Sequence, residues 1–137
     1  MSQHRAFIDT VYRHLNTADF DGVEPYFASD VETHTPGGTL KTRDQWRAFG
    51  EAFHDAVPDA RHEITRYFED GDTVIVEGIY AGTQTGPLVT EGGALPASGN
   101  AFAFPYVDLF QIRDDVCVSH RIYWDNVSFM MQLGVTP

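Results

Sequence analysis

Apolar residues recur at helical spacing early in the chain and at alternate positions later. Phe7, Ile8, Val11, Tyr12 and Leu15 fall on one side of a helical period, with polar residues between them, and predict a helix from about Gln3 to Asn16. After a break at Asn16 to Asp19, the run Phe20 to Phe27 reads as a short second helix, with Pro25 in its first turns or at its end. A short strand, Asp30 to Thr35, is closed by the turn former Pro36-Gly37-Gly38. Thr42 with Gln45 three residues on makes a capping box. It predicts a helix from near Arg43 that carries Trp46, Phe49, Ala52 and Phe53 on one face and stops before Pro58.

From Ala60 onward the period shortens to two. Arg61 to Glu69 and Thr73 to Gln84 read as strands, and Asp70-Gly71 between them signals a hairpin, since both central residues of a type I′ turn need positive φ. Thr85 to Asn100, with four glycines and two prolines, reads as a long loop. Two terminal strands come next. In the first, Phe102, Phe104, Tyr106, Asp108, Phe110 and Ile112 share a face, because side chains in a strand switch sides at every step. In the second, Val116 to Asp125, one face carries Cys117, Ser119, Arg121, Tyr123 and Asp125; the other carries Val118, His120, Ile122 and Trp124. Val127, Met130, Met131 and Leu133 then return to helical spacing. Helices first and strands afterward place the chain in the α+β class with a mainly antiparallel sheet, and 137 residues fit one domain, 1–137.

Composition narrows the function classes. An apolar fraction of 42% with 13% aromatics argues against disorder, and no run approaches the roughly 18 apolar residues of a membrane span. Twenty acidic against nine basic residues give a net charge of −11, which repels phosphate backbones and anionic membrane surfaces. Neither nucleic acid nor membrane is therefore an expected partner. The amino terminus lacks a signal-peptide pattern and Cys117 is the single cysteine, so a reducing cytoplasm is the expected compartment.

The candidate chemistry lies in carboxylates set among aromatic residues. An ionised carboxylate in apolar surroundings must find a partner or have its pKa raised. Asp108 either pairs with Arg121 on the neighbouring strand or does proton chemistry; Asp125 either caps the terminal helix or serves as a pocket acid/base. His34, at the end of the first strand, could protonate or polarise a carbonyl, act as base with Asp125 orienting it, or be a hydrogen-bonded surface residue. His120 falls on the core-like face, buried neutral or at a subunit contact. Tyr12, Tyr106 and Tyr123 could donate to an oxyanion or simply pack. Trp46, Phe49, Phe53, Phe104, Phe110 and Met130 are candidate pocket lining or ordinary core. The histidines show no paired metal-ligand spacing, there is no phosphate loop or nucleophile elbow, and Cys117 has no activating neighbour.

The order of Asp19-Phe20-Asp21, Tyr26-Phe27, Asp30-Val31, Pro36-Gly37-Gly38, the Trp46 and Phe49 helix, Gly82-Thr83-Gln84-Thr85-Gly86, Tyr123-Trp124-Asp125 and Gln132-Leu133-Gly134 resembles the SnoaL-like polyketide cyclase group of the nuclear transport factor 2-like superfamily. The resemblance spans nearly the whole chain. It implies a conical α+β barrel in which a curved sheet wraps around the helices to form a deep apolar pocket, commonly in a homodimer. Relatives include aldol-type cyclases, ketosteroid isomerases and epoxide hydrolases. The resemblance points to Asp125 as the cyclases' acid/base aspartate, whereas Gln84 stands where many relatives carry a histidine.

The expected function is a cofactor-independent acid/base enzyme acting on an apolar polycyclic or polyketide-like carbonyl compound, most simply an aldol-type cyclase. The alternatives are an isomerase of the ketosteroid type and a non-catalytic module that binds an apolar small molecule. A homodimer is expected as well, since Val107, Leu109, His120, Ile122 and Trp124 on the exposed side of a curved sheet would make an unusually large apolar patch.

Overall fold

The computed structural model describes residues 2–90 and 93–135. Its elements run α1 (Gln3–Asn16), α2 (Phe20–Val23) with a 3₁₀ turn (Glu24–Tyr26), β1 (Phe27–Thr35), β2 (Gly38–Leu40), α3 (Arg43–Ala56), β3 (Arg61–Asp70), β4 (Thr73–Thr83), β5 (Leu88–Thr90), β6 (Gly93–Leu95), β7 (Ala101–Arg113), β8 (Val116–Trp124) and α4 (Asn126–Gln132). Side-chain caps fix the entry of each α-helix: Ser2 for α1, Asp19 for α2, Thr42 for α3 and Asp125 for α4 each accept a hydrogen bond from a backbone N–H of the first turn.

Six strands form one curved sheet in the order β2-β1-β8-β7-β4-β3. All neighbours are antiparallel except β1 and β8, which run parallel. The sheet is not closed, so β2 and β3 are its edges. This is the expected α+β cone, with α1 and α3 lying in its concavity. The core joins the inner face of β7 (Phe102, Phe104, Tyr106, Phe110, Ile112) to Ile8 and Val11 of α1 and Trp46 of α3.

Several boundaries differ from the sequence reading. Pro25 has no N–H to continue an α-helical ladder, so the second helix gives way to the 3₁₀ turn, and Phe27 opens β1 instead. The stretch read as a long loop folds into the β5/β6 hairpin. Gln84 pins the segment between that hairpin and β7: its side-chain amide donates to the carbonyl of Pro96 at 3.1 Å and its side-chain oxygen accepts from the Ser98 N–H at 3.2 Å.

The turn chemistry is exchanged between the two long hairpins. At the β3/β4 tip Asp70 pairs with Thr73, the central residues are Gly71 and Asp72, and of these only Gly71 has positive φ, at +59°. Both central residues with positive φ occur instead at Asp114 (53°) and Asp115 (60°), between β7 and β8, where aspartate tolerates the left-handed region. β8 also carries one extra residue, because Ile112 pairs with Cys117 whereas Gln111 pairs with Ser119. Val118 is the bulge. Its insertion turns both Cys117 and His120 inward, so the strict alternation read from the sequence holds only beyond it.

Candidate functional site

Four buried side chains from four elements form a hydrogen-bonded line under the concave face. The Trp46 indole of α3 donates to Nδ1 of His120 in β8 at 3.1 Å. An indole N–H can only donate, so Nδ1 is the accepting nitrogen and Nε2 carries the proton. That Nε2–H meets Oδ1 of Asp108 in β7 at 3.0 Å, and the Tyr12 hydroxyl of α1 donates to Oδ2 of the same carboxylate. Asp108 is 5% exposed and has both oxygens satisfied by donors, the condition under which a buried carboxylate is tolerated. Burial first, and then the neighbouring Asp108, hold the Tyr12 phenol well above its ordinary range. Phe110 stacks on the His120 ring at 4.4 Å, and Phe27 stacks on Trp46 at 4.0 Å.

Beside this line lies a chamber of about 100 Å³, lined by Leu15, Phe20, Phe49, Phe53, Tyr80, Phe104 and Trp124 among apolar and aromatic side chains, with His54, His62 and Tyr106 as polar members. Tyr106 is its most informative member. The side chain is 4% exposed, and its hydroxyl makes no well-aligned hydrogen bond to a described residue, although the Tyr12 side chain stands close enough to act on it as a hydrogen-bond partner. Gly78 stands directly opposite on β4, and a Cβ there would come within 2.5 Å of that hydroxyl, so glycine makes the room it occupies. Burial, reinforced by Asp108 and opposed by hydrogen bonding with Tyr12, raises the Tyr106 phenol above its ordinary range and keeps the proton on it.

His62, on β3, supplies the second polar group. The Asn16 side chain is fixed by a pair of bonds to the His62 backbone, donating to its carbonyl at 3.1 Å and accepting from its N–H at 2.7 Å. The same Asn16 oxygen also faces His62 Nδ1 at 3.3 Å, which makes Nδ1 the protonated nitrogen and leaves the Nε2 lone pair free to accept. Burial pushes the imidazole down to about 4, against the opposing pull of Asp108. The tyrosine rings 12, 80 and 106 surround it at 5.6, 4.8 and 5.5 Å. The chamber thus holds a neutral proton acceptor and a protonated hydroxyl donor in an aromatic shell. Among the described residues, no group of three or more metal-ligating side chains could hold a metal ion.

The sequence candidates separate into those brought to this region and those kept from it. Tyr12, Trp46, Asp108 and Phe110 belong to the buried line, and Phe49, Phe53, Phe104 and Tyr106 reach the chamber. Met130 lines a separate outer cleft. Asp125 is exposed and caps α4 through Ser128 N–H at 3.0 Å, so its carboxylate is occupied in a structural bond outside the chamber. His34 lies at the sheet edge between Glu32, at 2.8 Å, and Thr39, at 3.2 Å. Tyr123 is 51% exposed on the convex face. Arg121 is exposed there too, so Asp108 pairs with His120 and Tyr12 rather than with arginine. His120, Ile122 and Trp124 face inward, so the convex face carries Ile75, Ile79, Val107 and Leu109 without them. Sequence reasoning missed His62 and Tyr80. The one signal available was their parity with Ile64 and Val76 on the inner faces of β3 and β4.

Comparison with known proteins agrees with this architecture. A family model described as SnoaL-like polyketide cyclase matches residues 3–133. Among solved structures, TsrD from Streptomyces laurentii superposes with a TM-score of 0.82 at 20% identity, covering 98% of both chains. AclR from Streptomyces galilaeus, described as a candidate hydroxylase, gives 0.83 at 18% identity over 100% of this chain and 99% of its own. IdmH from Streptomyces antibioticus, described as a candidate polyketide cyclase, gives 0.81 at 25% identity over 98% of this chain and 100% of its own. No curated protein matches the sequence.

Proposed function

The chain belongs to the SnoaL-like polyketide cyclase family, and from that premise we propose that it is a cofactor-independent acid/base enzyme closing a ring in an apolar, polyketide-like carbonyl compound. The observation that carries this reading is the buried Tyr106 hydroxyl, without a well-aligned partner, beside a histidine held neutral. A buried hydroxyl with no well-aligned partner is costly, and a ligand carbonyl that met it would offset that cost.

In this reading His62 Nε2 takes a proton from a carbon activated by an adjacent carbonyl, while the Tyr106 O–H donates to that carbonyl oxygen as it becomes an enolate. The carbon then attacks a second carbonyl of the same molecule. The imidazolium returns its proton to the alkoxide formed, so the reaction is neutral in protons and needs no redox partner. A base with a pKa near 4 is weak for removing a proton from carbon, which is why the oxygen donor matters. The line from Trp46 to Tyr12 ties β7, which carries Tyr106, to α1, whose Asn16 holds the His62 backbone.

Deuterium incorporation at C1 of 2-tetralone, followed by NMR, tests the proton step without knowledge of the natural substrate. Wild-type protein is expected to exceed buffer exchange, and His62→Gln and Tyr106→Phe to fall by roughly 10²-fold or more. Saturable binding without exchange would make the protein a binding module, and neither binding nor exchange would reject the chamber as the site. We also propose a homodimer joined through the convex face at Ile75, Ile79, Val107, Leu109 and Tyr123; a monomer in sedimentation at micromolar concentration would contradict it.

A further inference from the structure

A second, larger space lies directly behind the chamber. It measures about 630 Å³ and is bounded by β2, α3, the β5/β6 hairpin and α4, with Leu40, Leu88, Leu95, Phe129 and Met130 as its principal apolar lining. Phe49, Phe53 and Trp124 line both spaces. Their ring centroids stand 5.1 Å (Phe49 to Phe53), 6.0 Å (Phe53 to Trp124) and 6.3 Å (Phe49 to Trp124) apart, so three aromatic rings form the partition. One of them is tethered from the outer side, where the Trp124 indole donates to Oδ1 of Asn126 at 3.1 Å.

The sizes assign different tasks. A dry cavity of roughly 150 Å³ takes one benzene, and pockets for larger organic ligands run from about 300 to 1,000 Å³. The inner chamber, at about 100 Å³, is smaller than that benzene cavity and therefore admits no more than the reacting end of a ligand, while the outer cleft has the volume for an extended apolar portion. We propose that the outer cleft is a binding subsite for the apolar tail or trailing rings of an elongated carbonyl compound, whose reacting end passes the partition of Phe49, Phe53 and Trp124 into the inner chamber. This rests on the chamber being the reacting site. It adds that the ligand is long and that its tail, rather than its reacting ring, supplies most of the binding.

The test is calorimetric titration of a series of 6-alkyl-2-tetralones, methyl to octyl, against wild type and Ala48→Trp, with deuterium exchange measured on the same samples. Ala48 is exposed on α3 and lines only the outer cleft, so a bulky side chain there fills the cleft without entering the core. Wild-type affinity is expected to rise by about two- to fourfold per methylene until the cleft is filled, and Ala48→Trp to abolish that rise. Affinity that is flat along the series, or a rise that survives in Ala48→Trp, overturns the tail subsite while exchange of the methyl compound leaves the reacting chamber standing. A tail-dependent rise lost in Ala48→Trp without any exchange supports the subsite and removes the acid/base reading. No binding of any member overturns both.

Discussion

The Trp46 indole decides which nitrogen of His120 carries a proton, although α3 and β8 supply the two residues and 74 positions separate them in the chain. With Nδ1 committed to Trp46, the Nε2–H is directed at Asp108, and Asp108 in turn accepts from Tyr12. Trp46→Phe removes the donor and leaves a buried acceptor unsatisfied, together with a small void. A loss of about 2–4 kcal/mol is expected in urea denaturation. The ¹⁵N shifts of His120 should change from one fixed tautomer to a mixture; a wild-type pattern in the variant would show that Asp108 alone sets the proton.

His62 links stability to pH. Its folded pKa, near 4, lies below the unfolded value of about 6.5, so between those limits the unfolded chain binds the extra proton. Stability from this residue is fully present above about pH 6.5 and declines as pH falls toward 4, by up to about 3 kcal/mol. His62→Gln should flatten that segment of the curve. Equal slopes for the two proteins would mean that water in the chamber shields the imidazole.

Tyr106→Phe should separate stability from activity. Deleting a buried hydroxyl that has no well-aligned partner relieves a desolvation cost, so the variant is expected to be more stable by about 1 kcal/mol. Proton exchange on tetralone should meanwhile fall by roughly 10²–10³-fold, the usual loss for one oxyanion donor. Thermal denaturation beside the exchange assay reads both, and a destabilised variant would reveal a structural partner for the hydroxyl.

Asp125 caps α4 through the Ser128 N–H. Asparagine caps a helix about as well as aspartate, so Asp125→Asn should leave stability and exchange near wild type, whereas Asp125→Ala should cost about 0.5–2 kcal/mol. A large loss of exchange in Asp125→Asn at unchanged stability would return this carboxylate to the chemistry.

The sequence made the helices legible where caps and period agreed, as at Thr42 and Gln45, and made the inner face of β7 legible because its apolar alternation is unbroken. Asp108 stood out for the same reason, as the carboxylate among aromatics. Its partners did not, because Tyr12 and His120 meet it through tertiary packing and the bulge at Val118 that no local pattern announces. For Asp125 the sequence offered both a helix cap, from its place between a strand and a helical period, and an acid/base role, from the family resemblance; its carboxylate accepts the Ser128 N–H as the cap requires. His62 was hidden because charged and polar neighbours dilute the alternation of an edge strand, and Gln84 because its bonds reach residues 12 and 14 positions onward.

Val118 is the slack in the last strand, the one residue there without an opposite number on β7. Deleting this single residue would leave Cys117 opposite Ile112 and Ser119 opposite Gln111 in an unbroken ladder, with Arg121 and Tyr123 still outward and His120, Ile122 and Trp124 still inward. The same deletion made at Arg121 would reverse the facing of Ile122 and Trp124 and take the partition from the chamber. The strand therefore tolerates a change of length at one point and at no point beyond it.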